Sequence, residues 1–123
     1  MPDDTTHRNR KLEHLRINLK EDVQYRATTN GLERYRFVHQ ALPNLVLNEV
    51  DLSTTLFNRK LRAPLLISSM TGGADEAERI NMTLAAAAQA TGIAMGLGSQ
   101  RAAIEDAHLA RTYQVRRVAP NIL

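Results

Sequence analysis

Two short apolar runs constrain this chain more than any other feature. Pro64-Leu65-Leu66-Ile67-Ser68-Ser69 and Ile93-Ala94-Met95-Gly96-Leu97-Gly98 are nearly unbroken and too short for core helices. That pattern suits strands buried on both faces. Between them, residues 75–91 read as a helix. Its first turn holds Asp75, Glu76 and Glu78, which complement the helix dipole. Ile80, Leu84, Ala87 and Ala88 are expected on its apolar face, and Gly92 stands where a left-handed residue ends a helix. Ser69 and Gly98 are 29 positions apart, and one βα unit takes about 30 residues. Helical turns over 102–117 follow, and 119–123 reads as the opening of a third strand. Such units build a doubly wound sheet or a (β/α)8 barrel. Neither GxGxxG nor GxxxxGK[ST] is present, so no common nucleotide loop favours the doubly wound option.

The first half follows a different pattern. Residues 1–9 read as a polar tail. Over 10–22, Leu12, Leu15 and Leu19 form one helical stripe, with Arg10, Lys11, His14 and Arg16 on the remaining surface. Thr28-Thr29-Asn30-Gly31 is a turn signal, and a second helix is expected over 32–42, stopped by Pro43. Asn58-Arg59-Lys60 is expected to turn a hairpin between 53–57 and 61–63. The chain therefore divides into a helical extension with a hairpin, 1–63, and the first βα units, 64–123.

Composition narrows the chemistry. There is no cysteine, which removes disulfides, zinc–thiolate sites, iron–sulfur clusters and thiol nucleophiles and fits a cytoplasmic setting. The N-terminal residues lack the apolar core of a signal peptide, and the longest apolar stretch is too short to span a bilayer. A net charge of +3 does not by itself imply a polyanion partner. An aromatic content of 4% and no groove-reading motif argue against the alternative of a small basic nucleic-acid module around 8–36. His7, His39 and His108 have no partner at metal-ligand spacing.

In a βα array the strands end on one side, and ligands bind there. Two exits are thereby singled out. Ser68-Ser69-Met70-Thr71-Gly72-Gly73 offers hydroxyls, a polarisable thioether and accessible backbone, a mixture suited to a flat heteroatom-rich ring. Gly96-Leu97-Gly98-Ser99-Gln100-Arg101 offers a forked cation suited to phosphate oxygens. Neighbouring strand ends lie about 5 Å apart, so both exits can touch one ligand. Arg10 and His14, four apart, share a helix face with Lys11 nearby. Such a helix can act as a cationic lid over a diphosphate. On spacing alone, each has a plainer reading: a tight βα turn, a surface arginine, a solvated helix.

Read together, Arg10-Lys11-Leu12-Glu13-His14-Leu15-Arg16, Gly31-Leu32-Glu33, Arg36-Phe37-Val38-His39, Ala41-Leu42-Pro43, Ile67-Ser68-Ser69-Met70-Thr71-Gly72-Gly73, Gly96-Leu97-Gly98-Ser99-Gln100-Arg101 and Thr112-Tyr113-Gln114-Val115-Arg116-Arg117 resemble, in order, the opening of type 2 isopentenyl-diphosphate isomerases. The resemblance covers nearly all of the chain after its first residues. It implies a (β/α)8 barrel that binds FMN, uses Mg2+ and NADPH or NADH, and interconverts isopentenyl and dimethylallyl diphosphate. It assigns Ser69, Met70, Thr71 and Ser99 to the flavin. Arg10, Lys11, Ser99, Gln100 and Arg101 fall to the substrate diphosphate, with His14 and Ser68 as lesser contacts.

A barrel takes about 250 residues. The catalytic glutamine and magnesium-binding glutamate implied by the resemblance are expected beyond Leu123, so no catalytic or metal-ligating residue is assigned here. The isolated 123 residues are expected to be inactive, and the full-length protein to be a homo-oligomer with no nucleic-acid or membrane partner. The rival reading is another FMN-dependent barrel oxidoreductase, such as a 2-hydroxy-acid oxidase.

Overall fold

The structure is a computed structural model that describes the backbone from Asp4 to Leu123 and side chains from Asn9 onward. Helix α1 spans Asp4–Lys20, so the expected tail is already helical from Asp4. The expectation for residues 1–3 lies outside the described residues. Leu12 and Leu15 are half-buried, while Leu19 is exposed.

The helix expected over 32–42 does not form. Only a 3-10 turn, Leu32–Arg34, is present, and Leu32, Phe37, Val38 and Leu42 stand in solvent. Short helices owe most of their stability to packing an apolar face, and this segment leaves its large apolar side chains in solvent. The hairpin does form, as β1, Thr54–Leu56, against β2, Arg59–Leu61. Its turn is Phe57-Asn58 rather than 58–60, with φ of 48 and 58. Positive φ at both central residues is the two-residue turn that matches strand twist.

Strands β3, Leu66–Ile67, and β4, Ala94–Met95, pair in parallel, with Leu66 opposite Ala94 and Ile67 opposite Met95. Helix α2, Asp75–Thr91, joins them and ends at Gly92 with φ 71. The expected α2 face is rotated. Ala77, Asn81, Ala85 and Ala88 are the buried positions, whereas Ala87 is exposed. Small side chains let this helix lie close to its neighbours. Ala85 and Ala88 pack with Val115, Ala119 and Ile122, against which Ile67, Ile93, Met95 and Leu97 lie.

The strands are not buried on both faces as expected. Leu65 and Leu66 are more than half exposed. Successive strand residues point to opposite faces, and α2 covers only one. After β4 come α3, Arg101–Glu105, and 3-10 stretches Ala107–Tyr113 and Val115–Arg117. Residues 119–123 are a turn rather than a strand, although the Met95 amide donates to the Leu123 carbonyl at 2.9 Å. Beneath the sheet, the Arg62 amide donates to the Gly92 carbonyl at 2.8 Å, and Arg59 Nη1 to the Asn121 carbonyl at 2.9 Å. No helix among the described residues is long and apolar enough to cross a membrane.

Candidate functional site at the strand exits

Parallel pairing sends both exits the same way, and they touch. A Cβ built on Gly96 would lie 2.5 Å from Ser69 Oγ. One built on Gly98 would lie 2.5 Å from the Thr71 carbonyl oxygen. Both distances are closer than a side chain tolerates, so glycine at 96 and 98 lets the rims close on each other. Gly72 and Gly73 behave otherwise than expected. They are buried rather than open to a ligand, and a Cβ on Gly72 would meet Tyr113 Cε1 at 1.9 Å. Here the missing side chain makes room for a tyrosine.

A buried polar cluster holds this arrangement. Asn81 Nδ2 donates to the Thr71 carbonyl at 3.2 Å and to the Thr112 carbonyl at 3.0 Å. The Gly73 amide donates to Thr112 Oγ1 at 2.9 Å, and the Thr112 hydroxyl donates to the Leu109 carbonyl at 2.7 Å. Tyr113 OH donates to the Ser99 carbonyl at 2.8 Å. Burial pushes the Tyr113 phenol above its ordinary pKa, because the buried anion would lose its water. No buried side-chain nitrogen or oxygen among the described residues lacks a partner.

Helix α1 lies over the exits and creates two cavities. One, of about 210 Å³, is lined by Arg10, Lys11, His14, Ser99, Arg101, Ala102 and Glu105. The other, of about 400 Å³, runs beside it, bordered by Lys11, His14, Leu15, Met70, Thr71 and Ile80 among others. Three cations, Arg10, Lys11 and Arg101, line the smaller cavity, with Glu105 as its one carboxylate. Arg101 Nε is paired with Glu105 Oε1 at 2.7 Å, one helical turn away. That pair holds the guanidinium at the cavity wall.

The fold thus gathers Arg10, Lys11, Ser99 and Arg101 around one cavity and puts Met70 and Thr71 on the next. Met70 is 58% exposed, with its thioether available to a ligand. Thr71 is buried. Ser69 is exposed and its hydroxyl lies over Gly96. Gln100 caps α3, its carbonyl accepting from the Ala103 amide at 2.9 Å. Neither Ser69 nor Gln100 lines these two cavities. His39 and His108 are exposed, and the His7 side chain lies outside the described residues. Among the described residues no three His, Asp or Glu side chains converge to hold a metal.

Sequence reasoning missed Asn81, Thr112 and Tyr113 as organisers of the rim. Asn81 carried a signal. It is a polar residue four places from Ala77 and from Ala85, on the face that proves to be buried. Glu105 was also legible as the i+4 partner of Arg101.

Residues 5–117 match the FMN-dependent dehydrogenase family. Three similar proteins are each named isopentenyl-diphosphate delta-isomerase. The one from a Synechocystis species is 58% identical over 121 residues, covering 98% of this chain and 34% of that protein. The one from a Nostoc species is 56% identical over 115 residues, covering 94% and 33%. The one from Cronobacter sakazakii is 52% identical over 114 residues, covering 92% and 33%. The chain spans about a third of the length of these relatives. With nearly its whole length matched, the chain belongs to the FMN-dependent dehydrogenase family.

Proposed function

We propose that the chain forms the first strand exits and the cationic lid of a flavin-dependent isopentenyl-diphosphate isomerase built on a (β/α)8 barrel. The observation that carries this is the cavity where α1 brings Arg10 and Lys11 to Arg101 and Ser99. The residues fit the two ligands. Hydroxyls at Ser69 and Ser99, the exposed thioether of Met70 and the apolar wall of Leu15 and Ile80 suit a flat heteroaromatic ring. The adjoining cations suit diphosphate oxygens, and arginine offers them paired donors.

In this reading Arg10, Lys11 and Arg101 grip the diphosphate, and Gln100 contributes from the start of α3. Glu105 keeps Arg101 oriented when the cavity holds no anion. Helix α1 covers the exits and limits water there, which strengthens each charge interaction. Fixing the charged end positions the alkene against the ring, an entropic contribution to rate. Reduced FMN, when bound, supplies the electron-rich ring that alkene isomerisation needs and that side-chain acids match poorly. NADPH or NADH as its reductant, and assembly as a homo-oligomer, belong to the same reading by resemblance to the isomerases. So does Mg2+, but the described residues offer no ligand set for it, so no step is assigned to the metal here.

The family also includes oxidoreductases by its description, which keeps a 2-hydroxy-acid oxidase as the rival. The isomerase reading is favoured by the names of the similar proteins and by cations sized for a diphosphate. The test uses the full-length protein with isopentenyl diphosphate. Turnover is expected only with reduced FMN and without stoichiometric NADPH consumption. Arg10→Ala and Lys11→Ala are each expected to raise KM roughly ten- to hundredfold, the effect of losing a charge-assisted hydrogen bond. Oxidation of a 2-hydroxy acid without isomerisation would overturn the reading.

A further inference from the structure

We infer that Thr112 and Tyr113 are positioning residues that staple the two strand exits into one ligand-binding edge. The inference rests on the proposed flavin site and deepens it. The two exits are short loops that leave a shared sheet two residues long on each side. Such a sheet cannot by itself fix the spacing of residues three to five positions beyond it. The adjacent pair Thr112-Tyr113 does so from outside the sheet. Thr112 Oγ1 accepts from the Gly73 amide at 2.9 Å and so holds the first exit. Tyr113 lays its ring where a Gly72 Cβ would be, and its hydroxyl donates to the Ser99 carbonyl at 2.8 Å, holding the second.

Adjacent residues on one stretch of backbone thus grip both rims. Asn81 locks that stretch to α2 through the Thr112 carbonyl and to the first rim through the Thr71 carbonyl. All three side chains are buried. None of the three lines the two cavities under α1, so they set the geometry of ligand-contacting groups without touching the ligand. A binding site needs such support, because first contacts held loosely lose precision.

The experiment uses the full-length protein in three forms: Tyr113→Phe, Thr112→Val, and Thr112→Ser as the conservative control. Hydrogen exchange is followed by peptide, without flavin. Tyr113→Phe is expected to speed exchange around 97–101, and Thr112→Val around 71–74, with Thr112→Ser restoring protection. FMN titration by fluorescence quenching is then expected to show affinity falling about three- to tenfold in Tyr113→Phe, the worth of one neutral hydrogen bond. It should fall similarly in Thr112→Val and recover in Thr112→Ser. Unchanged exchange at both rims in both variants overturns the staple. Altered exchange with unchanged FMN affinity overturns its role in ligand positioning. A wild-type protein that does not bind FMN overturns the functional reading, while the exchange data still decide whether the staple exists.

Discussion

Gly98 has no room for even a methyl group, because the Thr71 carbonyl oxygen would sit 2.5 Å from it. That neighbour is backbone and cannot turn aside as a flexible side chain does. Gly98→Ala must therefore push the exits apart. Overpacking of this kind costs about 1–3 kcal/mol, which a shift in the urea midpoint of the full-length protein would read. FMN affinity is expected to fall with it, since the displaced segment carries Ser99. A variant as stable as wild type would show that the exits have slack. The glycines at 96 and 98 were visible in the sequence, but their purpose was not. Pattern alone marks a backbone that bends freely. Only coordinates show that Gly96 and Gly98 admit a neighbouring strand exit while Gly72 admits Tyr113.

Elements were legible where local chemistry and packing agreed. Helix α2 has acids in its first turn and a left-handed glycine at its end, and it forms over Asp75–Thr91 as expected. The hairpin and the parallel pairing of β3 with β4 were likewise readable from apolar runs and spacing. Residues 32–42 had a helical pattern, but their apolar side chains stand exposed, so the pattern had no consequence. The α2 face was read in part, because the closest approach to the core favours small side chains over large apolar ones. Ala88 is buried as expected and Ile80 and Leu84 are half-buried, yet the close approach to the core also selects Ala77 and Ala85 and leaves Ala87 exposed. Of the candidate site, the nearness of the two rims and the place of Arg10 and Lys11 beside Arg101 were readable; the brace behind them was not, since its bonds join residues 10 to 39 positions apart. Helix α2 is also tied to the 3-10 stretches by charge. Glu78 accepts from both Arg111 and Arg117, and Arg111 also reaches Asp75. The arginines are well exposed, so water and salt weaken these pairs. Glu78→Gln is expected to lower stability by less than about 1 kcal/mol in low salt. The difference should vanish in concentrated salt, as paired urea melts would check. A larger loss that persisted in salt would mean the clip is packed rather than electrostatic.

At the scale of the whole molecule, the chain displays more apolar surface than a freestanding domain keeps. Phe37, Val38, Leu42 and Leu47 are each at least 85% exposed, and β3 pairs only with β4 among the described residues. Exposed patches and free strand edges promote association. The 123 residues produced alone are therefore expected to bind a hydrophobic dye, melt without a sharp transition and fail to turn over isopentenyl diphosphate with added reduced FMN. Cooperative unfolding with no dye binding would contradict this. The bond from Arg59 to the Asn121 carbonyl spans 62 positions of chain, and it sets an order of events during synthesis. The hairpin leaves the ribosome long before its anchor exists. Domains begin to fold as their residues emerge, at about 5–20 residues per second. The hairpin must therefore wait several seconds for this bond, held first only by the earlier Arg62–Gly92 contact, until the segment around Asn121 has cleared the exit tunnel.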